Sequence, residues 1–88
     1  MTKNHRTAFN RLKKLGCPVF ERKDKPNTFF VSAESSGTDG MLWADYYDHA
    51  GISRYDDFGV DKRVDEVLKP LGLFAEWENP GCLTVWER

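Results

Sequence analysis

The chain has 88 residues, of which 40% are hydrophobic and 14% aromatic, and its formal net charge at pH 7 is −1. This length suits one small domain around a single core and excludes an arrangement of several domains. No apolar stretch is long enough for a membrane span or a signal peptide, so we predict one cytoplasmic domain over residues 1–88 with no membrane contact. Cys17 and Cys82 form no C-x-x-C unit and are predicted to be free thiols.

Charge is distributed unevenly along the chain. Residues 1–26 carry eight basic and two acidic side chains, whereas residues 39–66 carry eight acidic and three basic ones. Neither stretch is a dense run of one sign, so we interpret the division as two solvated faces. A role of these faces in positioning a charged partner stays open.

The first predicted element is an amphipathic helix over roughly residues 4–15. Ala8, Phe9 and Leu12 fall on one face of a 3.6-residue period, as does Leu15 at the end. Gly16 follows and suits the left-handed position that ends a helix. The next stretch, CPVFERKDKPNTFFVSAE, predicts a strand, a turn at Pro and Asn, and a second strand.

A long connection follows, in which the structure of residues 41–49 is ambiguous. The stretch MLWADY is rich in aromatic residues and predicts a third strand, paired with the second. A short helix is the competing interpretation, because Leu42, Trp43, Tyr46 and Tyr47 also fit a helical stripe. We favour the strand, because the flanking glycines leave little room for a long helix.

A second helix is predicted from the apolar stripe that begins at Val60 and ends near Leu71. Asp61 can cap its start, Gly72 can end it, and Pro70 should make its last turn irregular. The final stretch, LFAEWENPGCLTVWER, predicts two strands joined by an Asn-Pro-Gly turn. The predicted class is therefore α+β, in the order α-β-β-β-α-β-β, with a mainly antiparallel sheet of four to five strands and two helices on one face.

A near-repeat accompanies this order, since LKKLG at residues 12–16 resembles LKPLG at residues 68–72. Each pentad ends a predicted helix and precedes two predicted strands, so the chain reads as an α-β-β pseudo-repeat. Duplication of an ancestral unit is one explanation. We favour the other, which is that the same residues stop unrelated helices for the same physical reason.

No motif for catalysis or for cofactor binding is present. The sequence has no P-loop, no G-x-G-x-x-G, no G-x-S-x-G and no H-E-x-x-H. Asp45, Asp48 and His49 lie close together but lack the spacing of a calcium loop. We therefore predict a non-enzymatic protein with no cofactor and no bound metal.

The aromatic content suggests a binding module. The aromatic residues could all belong to the core, or part of their area could be surplus to so small a core, and aromatic residues flanked by charge are typical of protein interfaces. We predict a contact with a protein partner of unknown identity, or with a second copy in a homo-oligomer, through Trp43, Tyr47, Trp77 and Trp86. Carboxylates beside these residues could also imitate nucleic-acid phosphates toward a basic partner.

The alternative function is nucleic-acid binding by the basic first helix and first hairpin. Its predicted contacts to phosphates come from Arg6, Lys13, Lys14, Arg22, Lys23 and Lys25. Bases could stack on Phe30, Trp43, Trp77 and Trp86 if these side chains point outward from the sheet.

Overall fold

The chain folds into two helices and one sheet, described here from a computed structural model that covers residues 1–88. The strands form one antiparallel sheet in the order β1-β2-β4-β3, and both helices pack on one face of it. The predicted α+β class is confirmed. The elements in chain order are α1 (Lys3–Lys14), β1 (Val19–Glu21), β2 (Phe29–Ser32), α2 (Lys62–Leu68), a 3-10 turn (Lys69–Leu71), β3 (Leu73–Asn79) and β4 (Cys82–Glu87).

The first helix starts where its capping residue allows. The Thr2 hydroxyl accepts a hydrogen bond from the His5 N–H and caps α1. Ala8, Phe9 and Leu12 are buried as predicted, and the Phe9 ring packs edge-on against Phe29 of β2. Neither helix of the fold is long and apolar enough to cross a membrane.

The second helix follows its predicted signals closely. The Asp61 side chain accepts from the Arg63 N–H and caps α2. Pro70 lies in the 3-10 turn that continues the helix, and Gly72 ends this turn with a left-handed φ of 70°. The irregular last turn predicted from the proline is therefore confirmed.

The predicted third strand is wrong, and so is the competing helix. Residues 41–49 form an irregular segment whose only ladder contact is an isolated bridge between Ala44 and Val60. The observed order is α-β-β-α-β-β. The physical reason is that β2 already has β1 on one side and β4 on the other, so no free edge is left beside it.

The two α-β-β halves meet at the centre of the sheet. β2 from the first half pairs with β4 from the second, with Val31 opposite Leu83. Each hairpin therefore places its other strand at an edge. The repeat of element order predicted from the pentads is confirmed.

Alternating side chains give the sheet two different faces. Phe29, Val31, Leu83 and Val85 point toward the helices and are fully buried. The opposite face has no helix over it and carries Phe20, Phe30, Phe74 and Trp86, which are intermediate or exposed.

Candidate functional site

The connection between β2 and α2 is the most unusual part of the fold. Residues 33–61 contain no helix and no regular strand. Loops longer than about 12–15 residues without secondary structure are uncommon in compact domains, and the ordered ones are often binding loops. Specific hydrogen bonds order this connection, which makes it the candidate functional site.

Two aspartates build the turns of this connection. Asp45 Oδ1 accepts from the N–H groups of Tyr47 and Asp48 at 3.1 and 3.0 Å. Asp56 Oδ1 accepts from the N–H groups of Phe58 and Val60 at 2.8 and 3.1 Å. Short acidic side chains replace a secondary-structure ladder here by bonding backbone donors a few residues ahead.

Contacts between the two aspartate turns hold the middle of the connection together. The Asp45 N–H donates to the Gly59 carbonyl at 2.8 Å. The two ring nitrogens of His49 lie 3.0 Å from the Asp45 carbonyl and 3.2 Å from the Asp57 carbonyl. A neutral imidazole has one N–H, so one of these two nitrogens donates to its carbonyl, and the ring lies between the two turns.

A charge cluster around the buried carboxylate of Asp61 fixes the base of the connection. Asp61 is 1% exposed and lies 2.8 Å from Arg54 Nε and 2.9 Å from Arg63 Nη2. Arg54 also pairs with Asp39 at 2.8 Å. The Arg63 guanidinium lies 3.9 Å from the centroid of the buried Trp43 ring. Burial alone would raise the pKa of Asp61, but hydrogen bonds from Arg63 and the charges of Arg63 and Arg54 hold that pKa below its usual value.

Four aromatic residues that we call the aromatic patch gather on this ordered framework: Tyr46, Tyr47, Phe58 and Trp77. The Tyr46 ring packs edge-on against Tyr47 and against Trp77, each with 5.3 Å between centroids. The indole N–H of Trp77 donates to the Phe58 carbonyl at 2.8 Å. Tyr47 and Phe58 are each 73% exposed, so the patch presents large apolar surfaces to solvent.

A groove of about 390 Å³ adjoins the patch and runs along β3. Its apolar lining consists of Phe58, Val60, Phe74, Ala75, Trp77 and Leu83. Its charged residues are Asp56, Asp65, Glu76 and Arg88, so carboxylates dominate the rim. The groove is thus an apolar channel with an acidic border.

The structure separates the four residues predicted for a protein interface. Tyr47 and Trp77 lie in the aromatic patch. Trp86 lies on the opposite face of the sheet, where the Lys25 ammonium is 5.4 Å from its ring centroid. Trp43 is 1% exposed and belongs to the core, so its prediction as an interface residue is wrong. Its indole packs under Arg63, which the sequence did not indicate.

Sequence reasoning missed Tyr46 and Phe58 as members of the site. The signal for Phe58 was its position after two aspartates and before a glycine, a turn sequence that leaves a side chain outside. Tyr46 gave no separate signal, because Tyr46 and Tyr47 are adjacent and only the tertiary contact with Trp77 distinguishes them.

The six residues predicted to bind nucleic acid do not form one free basic surface. Arg6 pairs with Glu21 at 2.9 Å, and Lys25 pairs with Glu78 at 2.7 Å. Arg22 bonds to Asp24 and to Glu78. Lys13, Lys14 and Lys23 are exposed. Half of the predicted phosphate contacts are therefore already neutralised by carboxylates.

The pairing of Arg22 and Lys25 also affects the open sheet face. Hydrogen bonds from Arg22 and Lys25 lower the pKa of Glu78 to about 2, so this carboxylate stays charged. The Arg22 guanidinium lies 5.9 Å from the Phe30 ring centroid. Phe30 and Trp86 thus point outward, as base stacking would need, but each ring already has a protein cation beside it.

Neither thiol is suited to nucleophilic chemistry. Burial raises the pKa of Cys17 to about 12. Burial also raises the pKa of Cys82 above its usual value. Both side chains are therefore neutral thiols at pH 7, whereas a nucleophilic cysteine reacts as the thiolate. The structure holds no group of three or more His, Cys, Asp or Glu side chains placed to share a metal ion.

Comparison with known proteins finds no similar protein. No protein-family model, no curated protein and no solved structure matches this chain. The fold and the site together define a small α+β domain with an ordered, aromatic surface loop, and its function has to be inferred from that surface.

Proposed function

We propose that this protein is a non-enzymatic, protein-binding module whose contact surface is the aromatic patch with its adjoining groove. The observation that carries the proposal is the gathering of Tyr46, Tyr47, Phe58 and Trp77 on one ordered surface, with Tyr47 and Phe58 each 73% exposed. Contiguous exposed aromatic surface on a small domain marks interaction sites, and tyrosine and tryptophan are enriched among the residues that dominate binding.

The charge around the patch supports a basic partner. The carboxylates on the patch and on the groove rim belong to Asp45, Asp48, Asp56, Asp65 and Glu76. Such a field attracts a positively charged segment and speeds its association. A second copy of this chain would bring the same carboxylates together, so we favour a different protein over self-association.

The proposal can be tested with a displayed library of random peptides selected on the folded protein. We expect enrichment of peptides that combine basic and apolar residues, with dissociation constants that weaken at least about tenfold in the double variant Tyr47→Ser/Phe58→Ser. Both side chains project into solvent, so this variant should keep the fold. The measurement is the affinity of each selected peptide by fluorescence anisotropy.

The matched control removes two exposed apolar residues away from the patch. Leu15 and Phe20 are 48% and 45% exposed, and Leu15→Ser/Phe20→Ser should leave the peptide affinities within about twofold. Selected peptides that bind the patch variant as tightly as the wild type would contradict the proposal, as would the absence of any enriched peptide. An amide titration with duplex DNA tests the alternative, which predicts shifts within residues 1–26 that fade as salt rises.

A further inference from the structure

We infer that the free edge of β3 binds an extended, basic segment of the partner by strand addition, as one more strand of the sheet. This inference rests on the proposed function and specifies its geometry. Strand addition supplies affinity through main-chain hydrogen bonds and specificity through pockets for alternate side chains. At β3 the structure offers unpaired main-chain groups and an adjoining groove for side chains.

The register shows which backbone groups of β3 are free. The order β1-β2-β4-β3 leaves β3 at an edge, paired only with β4. The Arg88 N–H donates to the Gly72 carbonyl at 2.9 Å, and hydrogen-bonded pairs alternate along an antiparallel ladder. Phe74 and Glu76 therefore bond to β4, whereas Ala75 and Trp77 direct their N–H and C=O groups outward. No hydrogen bond outside the sheet uses these outward groups.

The two edges of the sheet differ in how they are protected. β1 spans only Val19–Glu21, and a short edge strand is a common defence against unwanted pairing. β3 spans Leu73–Asn79, and its one irregularity comes after Trp77. The stretch from Leu73 to Trp77 is thus a regular, uncovered template for another strand.

The groove determines what an added strand must carry. Side chains that point to the helix side would meet Phe58, Val60 and Trp77, which favours apolar residues at every second position. Side chains between them would point to the open face, beside Glu76. Asp56 and Asp65 border the helix side, and Arg88 is the one cation among the lining residues. An alternation of apolar and basic residues satisfies both faces.

The same charges disfavour a second copy of this chain as the occupant. Antiparallel pairing of two β3 strands would bring together two copies of Glu76, as well as two acidic groove rims. Like charges across a strand pair destabilise it. A basic segment from a different protein gains from the same field.

The test uses a probe peptide of alternating lysine and valine, acetylated and amidated, with the full chain labelled for amide detection. In an added strand only one edge of the peptide donates hydrogen bonds to β3. We therefore expect that N-methylation of alternate residues on one edge weakens binding at least about tenfold, while N-methylation of the other edge changes it by about twofold or less. A glutamate–valine peptide should bind much more weakly than the lysine–valine peptide.

Amide hydrogen exchange gives the second readout without any substitution. Phe74 and Glu76 amides are already bonded to β4, so saturating peptide should add protection specifically at Ala75 and Trp77. The variant Glu76→Lys should reverse the preference between the two peptides, because its side chain lies on the exposed edge.

Four outcomes would overturn the inference. Equal effects of the two N-methylation patterns, or protection confined to Tyr46 and Tyr47, would mean that the patch binds peptides without strand addition, and the proposed function would stand. Protection of Ala75 and Trp77 that rises with protein concentration alone would identify a second copy as the occupant. Failure of every peptide, including those from the library, would remove the proposed function as well.

Discussion

Replacement of Gly59 by alanine is expected to destabilise the domain by about 3–4 kcal/mol. Gly59 has a φ of +84°, and a Cβ atom there would lie 2.1 Å from the Asp45 carbonyl oxygen and 2.9 Å from His49 Nδ1. The left-handed backbone alone costs a non-glycine residue about 1–2 kcal/mol. The close approach adds the cost of moving backbone, since the Asp45 N–H bonds to the Gly59 carbonyl.

Gly51 provides a matched control in the same connection. Its φ is +77°, and a Cβ atom there would meet nothing within 4 Å. Gly51→Ala should therefore lower the free energy of unfolding only by the cost of a left-handed backbone, which is about 1–2 kcal/mol. Urea unfolding of the two variants measures the difference. Equal losses of stability in the two variants would mean that Gly59 does not lie against the Asp45 carbonyl. The aromatic patch would then lack the ordered framework described above.

The second large effect is expected at Asp61. We expect Asp61→Ala to cost about 2–4 kcal/mol, because it removes the buried hydrogen-bonded partner of Arg63 and Arg54 and the cap of α2. The carboxylate is within 2.9 Å of both guanidinium groups, and the residue is 1% exposed. The free energy of unfolding in urea at neutral pH is the measurement.

Two controls separate the charge of Asp61 from its other roles. Asp61→Asn keeps a good capping side chain and removes only the charge. Asp39→Asn removes a carboxylate whose side chain is 41% exposed, and exposed ion pairs contribute at most about 1 kcal/mol. If Asp61→Ala lost no more stability than Asp39→Asn, the charge cluster around Asp61 would not be an anchor of the connection.

The same cluster predicts a dependence of stability on pH. Since the pKa of folded Asp61 lies below its ordinary value of 3.8, the carboxylate stabilises the fold fully above that value. This contribution is lost as the pH falls from 3.8 through the lower pKa of the folded state. Urea unfolding at neutral pH and near pH 3 should show a smaller decline for Asp61→Asn than for the wild type. An identical decline in both proteins would contradict the depressed pKa.

Local chemistry explains why the helices and hairpins could be predicted. The Asp61 cap, the proline in the last turn and the left-handed Gly72 act within a few residues of each other, so their effects depend little on the rest of the fold. The β3–β4 hairpin likewise follows from its Asn-Pro-Gly turn and its flanking strand-forming residues.

The prediction of a third strand was wrong because strand formation depends on pairing with residues far away in the chain. The aromatic stretch at residues 41–46 has suitable residue types, but a strand also needs a neighbour with unpaired backbone groups. The long-range pairing of β2 with β4 removed that neighbour. Aspartate turns and the ion pairs of the buried Asp61 order the segment instead.

The three tryptophans among the predicted interface residues differ only in what the fold packs against them. Trp43, Trp77 and Trp86 are equally hydrophobic, and nothing adjacent in the chain reveals that the first is core and the other two are on opposite faces. The predicted basic surface has the same limitation. Arg22 and Lys25 meet Glu78 from a distant strand, and this pairing cancels charges that the sequence presents as free.

By itself the sequence determined the α+β class, the two helices with their caps, the two hairpins and the acidic character of the middle of the chain, because these depend on residue type and short-range spacing. Only the tertiary structure decided which aromatic residues are exposed, which charges remain unpaired and which strand edge is free. Those properties depend on contacts between segments far apart in the chain, since burial and pairing are set by what packs against each residue.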